Sequence, residues 1–70
     1  MALDNRTPTQ LGEVSAQRLT EGFPEQADPS IFLDSASYDK FLRGRNFTKR
    51  QQAEFEKAYR AKYEKLRQAV

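Results

Sequence analysis

Phe55, Tyr59, Tyr63, Leu66 and Val70 fall at i, i+4, i+8, i+11 and i+15, so that one apolar stripe runs along a helix while charged residues fill the positions between. From Lys49 to the C-terminus there is neither Gly nor Pro, and Ala53, Ala58, Ala61 and Ala69 stand among Glu, Lys, Gln and Arg, all good helix formers. Thr48-Lys49-Arg50-Gln51 opens the stretch as a capping box. The pattern predicts a terminal helix of about 21 residues, roughly 30 Å long at 1.5 Å per residue.

Two weaker helical patterns precede it. Thr7-Pro8-Thr9-Gln10 combines an N-cap, a proline at the first helical position and a glutamine that closes a second capping box. Leu11, Val14 and Leu19 then give a thin apolar face, and Gly12 is expected to weaken the helix by about 1 kcal/mol relative to Ala. Gly22-Phe23-Pro24 ends it, with Gly22 as the expected C-terminal cap. Asp28-Pro29 is a further start signal, leading through Ile31-Phe32-Leu33 to Tyr38, Phe41 and Leu42. The cluster Asp34-Ser35-Ala36-Ser37 competes with helix by bonding its own backbone, which predicts two short segments re-capped near Asp34 or Ser35. Gly44 suits the C′ position after them, with Lys40 and Arg43 opposing the negative end of the dipole.

The apolar residues of this middle stretch, Ile31, Phe32, Leu33, Tyr38, Phe41 and Leu42, read as the second wall of a core against Phe55, Tyr59 and Leu66. Left exposed, they would instead form a hot-spot cluster for a partner. No run alternates with β-branched residues, so β signals are absent. The expected fold is all-α: a small three- to four-helix domain over residues 7–70, a long C-terminal helix as its spine, and residues 1–6 as a disordered arm.

Composition narrows the chemistry. Six Leu, five Phe, three Tyr, two Val, one Ile and one Met are the whole large apolar supply of the 70 residues, so a stable core must use nearly all of them. The absence of Cys and His removes thiol chemistry and the commonest metal ligand. A protein without catalytic activity, cofactor or metal is therefore expected. Asp34 with Asp39, or Glu54 with Glu56, pair carboxylates but lack the spacing of a cation loop, and capping and solvation account for them. Ile31-Phe32-Leu33 is too short to span a bilayer, and Met1–Arg6 lack an apolar signal region, so a cytoplasmic protein is expected.

Charge changes the picture most. Residues 1–39 carry seven acids against two bases, and residues 40–70 carry ten bases against three acids. Such a split points to a polyanion, to an acidic protein surface, or to docking of one half on the other. The candidate partner-binding residues are Arg43, Arg45, Lys49, Arg50, Lys57 and Arg60. Lys62, Lys65 and Arg67 extend the basic helix, whose bland reading is a solvated face with Glu54, Glu56 and Glu64 pairing to bases three or four residues on. Arg43-Gly44-Arg45 can lie in a DNA minor groove, although a helix C-cap explains the same tripeptide. Asn46-Phe47-Thr48 fits the glycosylation pattern by accident in a chain expected to stay cytoplasmic.

The run Phe47-Thr48-x-x-Gln51-x-x-x-Phe55-Glu56-x-x-Tyr59, preceded by Arg43 and Arg45, resembles the first helix of a homeodomain with its basic arm. The likeness covers about 15 of the 70 residues, and no recognition helix with a Trp-Phe-x-Asn pattern follows. General helix physics supplies the same residues, so the family's DNA-binding function is not carried over. The expected function is that of a non-enzymatic regulatory interaction protein, monomeric, docking on a component of the transcription machinery such as RNA polymerase. In size and polarity the chain resembles small phage- or plasmid-encoded regulators. The alternative is a direct DNA or RNA binder using the basic C-terminal helix; a third, insertion of that helix into an anionic membrane, is disfavoured by its narrow, tyrosine-rich stripe.

Overall fold

The computed structural model describes residues 6–68, and all regular structure within them is helical. Helix α1 spans Pro8–Gly22, a single 3-10 turn spans Pro24–Gln26, α2 spans Pro29–Phe32, α3 spans Ala36–Arg45 and α4 spans Lys49–Gln68. The expected all-α architecture and long C-terminal helix are both present. Most of the expected N-terminal arm, residues 1–5, lies outside the described residues, as does Val70 at the end of the apolar stripe; Arg6 precedes α1 in irregular backbone.

Each helix start is a local hydrogen-bonded device. In α1 the Gln10 amide donates to Thr7 Oγ1 at 3.2 Å while the Thr7 amide donates to Gln10 Oε1 at 3.0 Å. Thr48 and Gln51 repeat the arrangement at α4, at 2.9 and 3.2 Å. Asp28 caps α2 by accepting from the Ser30 amide and hydroxyl at 2.9 and 2.7 Å, and those bonds hold its carboxyl below the usual carboxylate range. Ser35 performs the predicted re-capping: its hydroxyl donates to the Phe32 carbonyl at 2.6 Å and accepts from the Tyr38 amide at 3.2 Å, joining the end of α2 to the start of α3.

Helix α4 is the spine on which the others pack. Leu11 and Ala16 of α1, Tyr38 of α3, and Phe55 and Tyr59 of α4 are buried in one cluster. Leu19, Phe32, Leu33, Phe41, Leu42, Phe47 and Tyr63 pack around it half-buried. Phe55 and Tyr59 are fully enclosed, and the Tyr59 hydroxyl donates to the Ala27 carbonyl at 2.6 Å, fixing the loop before α2 to the spine. No helix among the described residues is long and apolar enough to cross a membrane.

The structure corrects four readings. Gly12 is a contact and not merely a weak point of α1, because a Cβ there would run into the Phe55 carbonyl oxygen and stand 3.0 Å from Ala58 Cβ and Tyr59 N. Gly12, Ala16 and Ala58 are all buried, and their small size lets the two backbones meet. Gly22 is not a left-handed cap: α1 runs to its end and closes through the Phe23 amide, bonded to the Leu19 carbonyl at 2.6 Å. Gly44 lies inside α3, and Asn46 takes the left-handed position instead, at φ 57° and ψ 41°; asparagine tolerates that region better than other residues with a Cβ. Ile31, expected in the core wall, remains 52% exposed.

Candidate functional site

Of the six candidate bases, Arg43 and Arg45 are carried by α3 and Lys49, Arg50, Lys57 and Arg60 by α4. Helix α3 ends at Arg45, Asn46 reverses the chain, and Thr48 restarts it. Between them Phe47 wedges against Phe41 at 5.9 Å and Phe55 at 6.2 Å between ring centroids, anchoring the turn to the core. Arg43, Arg45, Lys49 and Arg50 therefore flank a three-residue connection, 46–48. Lys57 and Arg60 lie further along α4, Lys57 about 12 Å beyond Lys49 at 1.5 Å per residue. At about 100° per residue Lys49 and Arg60 share one flank and Arg50 and Lys57 the other, both facing away from Phe55 and Tyr59. All six are exposed.

Their local pairing divides them. Arg43 bonds Asp39 one turn back at 3.1 Å, and Arg45 lies over the Phe41 ring at 5.5 Å from its centroid. Both sit in the last turn of α3, where a base stabilises the negative end of the dipole. Arg60 approaches Glu56 at 3.8 Å, and Glu56 also accepts from the Tyr38 hydroxyl and Gln52 Nε2, each at 2.9 Å. Glu56 is thus fixed in the α3–α4 groove, where burial and its carboxylate push the Tyr38 hydroxyl well above the usual tyrosine range. Glu64 pairs with Arg67 at 3.8 Å.

Lys49, Arg50 and Lys57 have no carboxylate at ion-pair distance among the described residues. Lys49 and Arg50 also occupy the first turn of α4, which holds no acid. A base at that end of a helix is opposed by the dipole, at a cost of about 0.3–1 kcal/mol each. Folding therefore gives no reason for bases there.

Sequence reasoning identified the bases but missed how they divide, since spacing alone reveals the i, i+4 partner and not the third contact to Glu56 from Tyr38. It also missed that Lys62 is half-buried on the apolar side of α4 and is not part of the outward face. The helical period held the signal, because Lys62 falls between the azimuths of Ala58 and Tyr59. Comparison with family models, with curated proteins and with solved structures finds no match to this chain.

Proposed function

We propose that the protein is a non-enzymatic regulatory interaction protein that presents the α3–α4 turn and the outer face of α4 to an acidic surface on a component of the transcription machinery such as RNA polymerase. The observation that carries the reading is the placement of Lys49 and Arg50 against the dipole of α4, without an acidic neighbour in the first turn. Together with Lys57, which borders the α1–α4 groove beside Glu13 and Glu54 without an ion pair at contact distance, they form a cationic surface, while the apolar side of the same helix is committed to the core. Within about 10 Å, the screening length at 0.1 M salt, the four bases flanking the turn act on an approaching partner together.

Glu54, Glu56 and Glu64 favour a protein over bare nucleic acid. They interleave with the bases along α4, and Glu54 and Glu64 are exposed, so a phosphate backbone laid along the helix would meet carboxylates as well as cations. An acidic protein surface can place neutral or basic groups opposite them.

The test uses the triple variant Lys49→Glu, Arg50→Glu, Lys57→Glu. Its melting temperature should equal or exceed the wild type's, because two of the changes place acids where the dipole favours them. Purified RNA polymerase retained by the wild type after nuclease treatment, and lost by the variant, supports the proposal. Loss of the polymerase on nuclease treatment, with sub-micromolar binding to labelled duplex that weakens steeply between two salt concentrations, replaces it with direct nucleic-acid binding.

A further inference from the structure

Phe23 and Ile31 are the large apolar side chains left exposed among the described residues, at 60% and 52%. Ile31 lines a groove of about 330 Å³ formed where the end of α1, the 3-10 turn, α2 and the start of α3 meet, together with Leu19, Gln26, Phe32, Ser35 and Ser37. Leu19 and Phe32 form an apolar floor packed on the core, while Gln26, Ser35 and Ser37 supply a polar rim. Phe23 is tied to both sides of this corner, its amide bonded to the Leu19 carbonyl at 2.6 Å and its carbonyl to the Gln26 amide at 2.9 Å. An apolar centre inside a polar rim is the anatomy of a protein-binding hot spot.

Charge decides the occupant. Between Arg18 and Lys40 the chain holds Glu21, Glu25, Asp28, Asp34 and Asp39 and no base. Asp28 is engaged as a helix cap and Asp39 by Arg43, and Asp34 lines the separate α3–α4 groove, whereas Glu25 is exposed beside the lining residue Gln26 and has no base at ion-pair distance among the described residues. A second copy of this chain offers no free basic amphipathic helix among the described residues, since the apolar stripe of α4 is already used in its own core.

We infer that the groove takes a basic amphipathic helix of a partner protein, an apolar side chain entering beside Ile31 and Leu19 and a Lys or Arg residue lying against Glu25. No residue of α4 lines it, so the inference stands apart from the proposal for the basic surface. Together the two would make the protein an adaptor with a cationic and an anionic side.

The experiment titrates the full chain, isotopically labelled for NMR, with a synthetic Leu–Lys amphipathic helical peptide, and with its Leu–Glu counterpart as control. Saturable shifts are expected at Leu19, Phe23, Gln26, Ile31 and Phe32 with the basic peptide alone. Ile31→Ser should weaken binding about tenfold without lowering the melting temperature, because the side chain is already half in water. Glu25→Lys should weaken it further, and Lys49→Glu with Arg50→Glu should leave it unchanged. Equal binding by Ile31→Ser, shifts spread over the acidic surface, binding of the acidic peptide, or concentration-dependent self-association abolished by Ile31→Ser would each overturn the inference.

Discussion

The two sides of α4 are held by opposite means. On one side α1 comes close because side chains are missing: Gly12 meets Ala58 and the backbone of Phe55 and Tyr59, and Ala16 is buried one turn on. On the other, α2 and α3 stand off and the gap is filled by rings, with Phe32 on Tyr59 and Phe41 on Phe55 each at 5.0 Å and Tyr38 on Phe55 at 5.6 Å. The first interface depends on what is absent and tolerates no addition. The second depends on volume and tolerates no deletion.

Phe55→Ala puts the ring side to the sharpest test, since Phe55 touches Tyr38, Phe41, Phe47 and Tyr59. A loss of about 3–5 kcal/mol is expected, enough in a small domain to abolish cooperative melting by circular dichroism. The α1 side is broken by addition. Gly12→Ala should destabilise by about 1–3 kcal/mol through overpacking, although Ala is the better helix former by roughly 1 kcal/mol. The same substitution at Gly44, where a Cβ meets open space, should stabilise by about 0.5–1 kcal/mol. Urea titration of the pair decides the matter: equal gains at both positions would mean that α1 does not approach α4 as described.

Tyr59→Phe keeps the ring and removes the bond to Ala27, leaving a buried carbonyl unpaired at about 1–3 kcal/mol. It also sharpens an alkaline effect. Burial pushes the Tyr59 hydroxyl up to about 12, against a usual value near 10. Below pH 10 both states keep the proton; between 10 and 12 the unfolded chain loses it and the folded chain does not, so stability should fall with rising pH across that window. Melting temperatures at pH 8 and pH 11 should differ less in Tyr59→Phe than in the wild type.

What could be read from the sequence is what short spacing encodes. Thr7, Asp28, Ser35 and Thr48 each cap a helix through residues two or three positions away, so their roles were legible from neighbours. Gly12 was not, because its value lies in Phe55 and Ala58, more than forty positions on, and no local pattern says which helix will face it. The sequence points to Gly44 over Asn46 because glycine is the commoner left-handed cap, although the asparagine sits directly before the Phe47 anchor. For the candidate site, the charge split announced the bases, while the dipole that separates Lys49 and Arg50 from Arg43 and Arg45 appears only once the helix ends are placed. The apolar run Ile31-Phe32-Leu33 places all three in the core by sequence, but three consecutive residues at the end of a one-turn helix cannot all face inward, and Ile31 is the one left outside.

The bond from Tyr59 to Ala27 joins residues 32 positions apart, so the loop it closes holds α2, α3 and the first half of α4. Closing a loop of that length costs chain entropy that no single helical turn repays, and the hydroxyl reaches Ala27 only where α4 is already helical. The contacts that make this fold one cooperative unit are therefore long-range ones that end on α4, on which α1 and α2 both pack. The helix that carries the positive charge is thus also the template for the half that carries the negative.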